Sequence, residues 1–229
     1  MLELDQIDLT QGNFRLRASL SLDKGQGLGV MGASGSGKST LLNLLAGFLT
    51  PDTGRITLAG RDVTDLPVAD RPISIMFQDN NLFPHLSVSD NVALGIAPNL
   101  RLSPADQTRV VDSLAKVGLQ DFGPRMPADL SGGQQSRVAL ARMLVRDRPI
   151  ALFDEPFAAL DPALRHEMVD LVRETCVKAG QTVIMVSHDM GDISALCDRV
   201  LLLDHGDVAA DVTVAQALED RPAPLAPWL

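Results

Sequence analysis

The chain has 229 residues, 45% hydrophobic and 21% charged, enough apolar material for a substantial core. Its formal net charge of −9 disfavours nucleic acid or anionic lipid as the main partner. No apolar run approaches the ~18 residues needed to span a bilayer.

Cys176 and Cys197 lack metal-ligand spacing, so free buried thiols in a reducing compartment are expected. The N-terminus has no basic stretch followed by an apolar one, so no export signal is expected. Leu2/Leu4, Ile7/Leu9 and the run Phe14, Leu16, Ala18, Leu20, Leu22 each alternate with period two, and Gly12-Asn13 interrupts as a turn would. Antiparallel strands are predicted there. Residues 28–31 form a short apolar strand, weakened locally by Gly27 and Gly29. The run Leu41-Leu42-Asn43-Leu44-Leu45-Ala46-Gly47 reads as a helix. Residues 50–54 have turn chemistry, 55–58 alternate as a strand, and 73–77 form another strand ending at Gln78.

From 79 to 148 the pattern becomes helical. Ser103-Pro104-Ala105-Asp106 supplies an N-cap, a first-position proline and a first-turn acid. Val110, Val111, Leu114 and Val117 follow at helical spacing, and Gly118 supplies the stop. Another helix is predicted over 130–145, and the whole segment 79–148 is predicted to be an inserted helical subdomain. Beyond it, strands at 149–153, 183–186 and 200–203 alternate with helices at 162–178 and 190–197. That alternation predicts a mostly parallel sheet covered on both faces. Arg221-Pro222-Ala223-Pro224 is predicted to open a poorly ordered tail.

Three stretches carry chemistry. Gly32-Ala33-Ser34-Gly35-Ser36-Gly37-Lys38-Ser39-Thr40 fits the phosphate-loop pattern G-x-x-x-x-G-K-[ST] between a strand and a helix. The glycines let successive N–H groups curl around one anion, and the helix dipole adds positive potential there. Lys38 supplies a point charge for the β/γ-phosphates, and the Ser39 hydroxyl suits Mg²⁺. Phe153-Asp154-Glu155 closes an apolar strand with two carboxylates, one suited to Mg²⁺ and the other to polarising an attacking water. Leu130-Ser131-Gly132-Gly133-Gln134 fits an S-x-x-Q capping box, yet its paired glycines also bare amides for a second anion contact.

Together with Gln78, Ala159-Leu160-Asp161 and His188, these stretches occur in an order and spacing that resembles the ATP-binding-cassette (ABC) ATPases over essentially the whole chain. The resemblance implies an α/β fold: a P-loop NTPase (RecA-like) core with an N-terminal antiparallel β-subdomain and the inserted helical subdomain, one ATP-binding domain over 1–229. It implies two copies sandwiching two ATP molecules head to tail. Ser131, Gly132, Gly133 and Gln134 of one copy would then meet the γ-phosphate held by the loop of the other. Gln78 would bind Mg²⁺ and sense a membrane partner, and Asp154 would take the metal. Glu155 would be the general base, Asp161 would bridge the two sites, and His188 would contact the γ-phosphate. Gln11 stands about where the family places an adenine-stacking aromatic, often tyrosine. Phe14 is the nearest aromatic substitute, so looser base selectivity is expected. Gln135-Ser136-Arg137 and Ala158 also depart from common family choices.

Within the family the chain resembles bacterial importer subunits, and among them those of thiamine importers. The residues that carry this are Leu42-Asn43-Leu44-Leu45-Ala46-Gly47-Phe48, Phe77-Gln78-Asp79-Asn80-Asn81-Leu82-Phe83-Pro84-His85-Leu86 and Asp161-Pro162-Ala163-Leu164-Arg165. The short stretch after His188 implies no C-terminal regulatory domain of the sugar-importer kind. The implied partners are a second copy, integral-membrane permease subunits and a periplasmic solute-binding protein. The implied location is the cytoplasmic face of the inner membrane. The same motor serving iron, sulfate, molybdate or polyamine import is the alternative. A P-loop kinase would have no use for LSGGQ or His188, and a DNA-repair relative would carry a long coiled coil between Gln78 and Leu130.

Overall fold

The two N-terminal alternations belong to one strand. In the computed structural model, which describes residues 1–228, β1 (Leu2–Gln11) runs antiparallel to β2 (Phe14–Leu22), and the pairing slips between Leu4 and Ile7. Gln6 lies in the slip at φ 48°, its N–H donating to Ser19 Oγ at 3.0 Å. This bulge moves the inward-facing set from Leu2 and Leu4 to Ile7 and Leu9, and all four are buried. Thr53 and Gly54, expected in a turn, instead open β4 (Thr53–Leu58). Pairing with β1 draws them in: Thr53 faces Asp8, and the Asp52 N–H donates to Asp8 O at 2.8 Å.

The remaining strands are β3 (Leu28–Met31), β5 (Arg61–Asp62), β6 (Ile73–Met76), β7 (Ile150–Asp154), β8 (Thr182–Val186), β9 (Arg199–Asp204) and β10 (Asp207–Thr213). All ten join one sheet in the order β5-β4-β1-β2-β10-β9-β3-β8-β7-β6. From β9 to β6 the pairings are parallel. The antiparallel N-terminal strands join this part through β10, which pairs with β9 and meets β2 at Asp207–Arg17. The helices are α1 (Lys38–Ala46), α2 (Val88–Ala93), α3 (Pro104–Lys116), α4 (Gly132–Leu144), α5 (Pro162–Val172), α6 (Met190–Leu196) and α7 (Val214–Asp220). Residues 79–148, between parallel neighbours β6 and β7, hold α2, α3 and α4.

The parallel strands are apolar on both faces because both are covered. Ala151 and Phe153 of β7, Val183 and Met185 of β8, and Val200 and Leu202 of β9 join one core with α2 to α7. Their alternates Ile150, Leu152, Ile184, Val186, Leu201 and Leu203 join a second core with α1 and the antiparallel strands. Helix α1 lies inside that second core, which is why Leu41, Leu42, Leu44 and Leu45 are all buried rather than forming one stripe. Its C-terminal end is closed by Arg71, an almost wholly buried guanidinium that donates to Leu44 O at 2.6 Å and Leu45 O at 3.0 Å.

Gly27 and Gly29, weak on propensity, are required by α6. A Cβ on Gly29 would lie 2.4 Å from Ile193 Cγ2, and one on Gly27 would lie 2.7 Å from Cys197 Cα. The C-terminal stretch is also better packed than its prolines suggest. Leu225 is fully buried and Trp228 packs on the larger core, so the expected loose tail is instead folded back by apolar burial. Both cysteines are free and buried, as expected; burial pushes the Cys176 thiol up to about 11.

Candidate active site

Six of the seven α-helices among the described residues begin with a side-chain cap: Ser87, Ser103, Ser131, Asp161, Asp189 and Thr213. Helix α1 is the exception, with no side-chain cap and no acid in its first turn. Its first N–H groups therefore remain available to an anion, at the positive end of the dipole. The loop before it depends on backbone that only glycine adopts without strain. Gly32 has φ 148° and Gly37, the N-cap residue, φ 107°. A Cβ on Gly32 would fall 2.3 Å from Leu203 O, and one on Gly37 would fall 2.8 Å from Phe14 Cζ. The Lys38 ammonium folds into the loop, donating to Gly32 O at 2.7 Å and Ala33 O at 2.9 Å. Burial lowers its pKa, and the carboxylates of Glu155 and Asp154 oppose that shift. The Ser36 hydroxyl is buried without a hydrogen-bond partner.

Gly35, Gly37, Lys38, Ser39 and Thr40 line a cleft of about 400 Å³ whose remaining walls are Gln11 and Phe14. Both candidates for the base contact thus stand at the cleft. The tip of the Phe14 ring is engaged against Gly37, which leaves Gln11 as the freer wall. Ala33 and Ser34 complete the loop on its exposed shoulder, next to the buried Gly32.

Asp154 ends β7 opposite Val186 of β8, at the edge where parallel strands open toward ligands. Burial raises its pKa, the neighbouring Glu155 adds to this, and Lys38 opposes it. Glu155 leaves the strand at φ 46°, a left-handed conformation costly for a non-glycine residue, and is held there by its N–H donating to Val186 O at 3.0 Å. Its Oε2 is 2.8 Å from Nδ1 of His188, which follows β8. Register alone brings this pair together from positions 33 apart in the chain. Gln78 lies just beyond β6 and is exposed; since Met76 pairs with Phe153, it belongs to the same sheet edge.

Ser131 and Gln134 form the expected capping box on α4, with Gln134 N–H to Ser131 Oγ at 3.3 Å and Ser131 N–H to Gln134 Oε1 at 3.0 Å. The two glycines between them differ. Gly133 packs against Leu164 so closely that a Cβ would sit 2.7 Å from its Cδ2, whereas a Cβ on Gly132 would meet nothing within 4 Å. No packing within this chain requires glycine at 132. None of residues 131–134 lines the cleft at the phosphate loop. Asp161 caps α5, its Oδ1 accepting from the N–H groups of Ala163 and Leu164 at 3.0 and 3.1 Å.

No cluster of three or more His, Cys, Asp or Glu able to hold a metal occurs among the described residues. Mg²⁺ commonly takes one or two protein oxygens and completes its shell with phosphate and water. Ser39 and Asp154 offer such a donor set.

A family model described as ABC transporter matches residues 16–158. The chain belongs to the ABC transporter family.

The cassette is 61% identical to the thiamine import ATP-binding protein ThiQ of Jannaschia sp. (strain CCS1) over all of both chains. It is 48% identical to that of Cereibacter sphaeroides over 100% of this chain and 99% of that one. Among solved structures it resembles a dimeric ATP-binding cassette in a post-hydrolysis state bound to ADP and Pi, with TM-score 0.80 and 30% identity over 93% of this chain and 99% of that one. A nucleotide-free cassette from an ABC transporter matches with TM-score 0.89 at 24% identity over 100% and 98% of the two chains, a likeness of fold. The expected α/β P-loop architecture and ABC ATPase family are therefore those of this protein. No helix among the described residues is long and apolar enough to cross a membrane.

Sequence reasoning missed the arginines that hold this site's supports. Arg71 fixes the far end of α1, and Arg142 donates to Asn81 O at 2.8 Å and to Asn80 O in the loop after Gln78. Their targets are carbonyls distant in sequence, so no local spacing marks them.

Proposed function

We propose that this cassette hydrolyses ATP to power thiamine uptake through a membrane permease. The observation that carries the solute assignment is the 61% identity, over the full length of both chains, to a thiamine import ATP-binding protein. The subunit would be peripheral on the cytoplasmic face of the inner membrane, with a periplasmic solute-binding protein delivering substrate from the other side. An apolar cleft of about 350 Å³ beside Gln78, lined by Ile75, Phe77, Phe83, Leu94, Arg142 and Arg146, supports a permease contact. Phe83 of this wall is exposed, as is Phe48, whose ring centroid lies 6.2 Å from that of Phe77, and the Arg146 Nε is buried without a partner.

The working unit is two copies of the chain, with residues 79–148 acting as a helical subdomain that carries 131–134 to the other copy's nucleotide. Gly132, which no neighbour in its own chain requires to be glycine, supports this reading. So does the dimeric state of the related cassette bound to ADP and Pi. Asp161, at the start of α5, would bridge the two sites.

Within each site the Gly32–Lys38 loop binds the phosphates through its N–H groups, and the Lys38 ammonium exchanges Gly32 O and Ala33 O for phosphate oxygens. Ser39, Asp154 and Gln78 would hold Mg²⁺, which supplies neutralisation of the charge on the transferring phosphoryl group. Glu155 orients the attacking water and accepts its proton. His188, 2.8 Å from Glu155, holds that carboxylate and faces the γ-phosphate. Positioning and charge neutralisation are the main contributions.

Turnover by the isolated cassette is expected to rise more steeply than linearly with protein concentration, because each site needs both copies; strictly linear activity on high dilution would refute shared sites. For the solute, a strain lacking this chain should lose ATP-dependent uptake of labelled thiamine and regain it on complementation. Unchanged thiamine uptake with loss of another solute's uptake would overturn the assignment.

A further inference from the structure

Hydrogen bonds converge on the short loop that carries His188. Arg165 lies one turn into α5, and its guanidinium forks onto Asp192, Nε to Oδ1 at 2.8 Å and Nη2 to Oδ2 at 2.6 Å. The same Nη2 is 2.8 Å from Asp189 Oδ2. Asp189 uses its other oxygen to cap α6, accepting from the N–H groups of Gly191 at 2.7 Å and Asp192 at 3.3 Å. Ser187 accepts the Asp189 N–H at 3.1 Å and donates to Asp192 Oδ2 at 3.3 Å. Both flanks of His188 are thus tied, directly or through Asp192, to one arginine.

His188 itself has little else to hold it. Its side chain is 57% exposed, and among the described residues its one hydrogen-bond partner is Glu155. An exposed imidazole without packing takes its direction from the backbone beneath it, so whatever fixes 187–189 fixes the His188–Glu155 pair. A planar fork satisfied by two carboxylates, one of them buried, is a stiff way to do so. Helix α5 also begins at Asp161, the residue placed between the two sites above, so the tie runs from that position to the reacting edge of the sheet.

We propose that Arg165 is a positioning residue for hydrolysis: through Asp189 and Asp192 it holds His188 against Glu155 and links that pair to the helix beginning at Asp161. This presupposes that Glu155 and His188 act in hydrolysis, as proposed above. A plain staple between α5 and α6 would stabilise the fold without selectively affecting turnover.

The two roles separate in steady-state ATPase measurements on the full chain at a concentration that supports the dimer. Arg165→Lys keeps the charge and loses the fork. It is expected to lower kcat at least ~10-fold, since a misplacement of ~1 Å can cost ~10² in rate, with KM for ATP unchanged within about twofold. Arg165→Ala placed on His188→Ala is expected to add no further loss beyond about twofold, because the arginine acts through the histidine. Should Arg165→Ala fail to fold because it strands the buried Asp192 charge, Arg165→Gln with Asp192→Asn removes both charges and keeps an amide contact. That pair is expected to show the same selective loss of kcat. Folded variants with kcat within about twofold of the parent, or an Arg165 loss that multiplies the His188→Ala loss, would overturn the proposal. Full turnover by His188→Ala would overturn it together with the reading on which it rests.

Discussion

Glu155→Gln is expected to bind ATP as the parent does and to lose ~10²–10⁴ in kcat, the usual worth of a general base. The substitution is isosteric, so the costly backbone at φ 46° and its bond to Val186 O stay as they are. A glutamine amide also retains a hydrogen-bonding contact with His188 Nδ1, now 2.8 Å from Oε2. What it cannot do is accept a proton from water. Hydrolysis is the step that would reopen the pair of copies, so the variant should accumulate as an ATP-bound dimer. Equilibrium nucleotide binding, kcat and size-exclusion chromatography with ATP check the three statements together. Full turnover by the variant would end the general-base assignment.

Lys38→Ala should act on binding rather than on chemistry. The ammonium donates to Gly32 O and Ala33 O, and on the reading proposed above both bonds would give way to bonds to phosphate when nucleotide enters. Charge-assisted bonds to a phosphate anion are roughly twice as strong as bonds to neutral groups, so losing the ammonium is expected to raise the Kd for ATP at least ~10-fold. Burial already lowers the Lys38 pKa against the pull of Glu155 and Asp154, so the folded chain does not depend on this charge as it would on a fully satisfied ion pair. Thermal stability without nucleotide is therefore expected to change far less than affinity. Titration calorimetry with ATP checks the first statement, and unchanged affinity would contradict the phosphate-loop assignment.

The expectations of local structure that held were those encoded by neighbours in the chain. The phosphate loop, the Ser103 and Ser131 caps and the two-carboxylate end of β7 each occupy a few consecutive residues, and their chemistry follows from backbone reach and side-chain type. The expectations that changed involve partners far away in sequence. Gly29 looked like a defect in a strand until Ile193 was placed over it, and the Pro-rich end looked loose until Leu225 found the core. Residues 53–54 read as a turn because turn chemistry is local, but pairing with the bulged β1 made them strand.

Sequence alone thus determined that this chain has a phosphate loop, a metal-suited carboxylate, a candidate base and a second glycine-bearing helix start, because each is a short-range pattern. Tertiary structure decided which of these stand together. The parallel register of β7 and β8 places Glu155 against His188, and the docking of α5 on α6 sets Arg165 across both flanks of that histidine. The 131–134 helix start does not line its own chain's loop cleft. Strand register and helix packing are set by burial summed over the whole sheet, and no local spacing contains that sum.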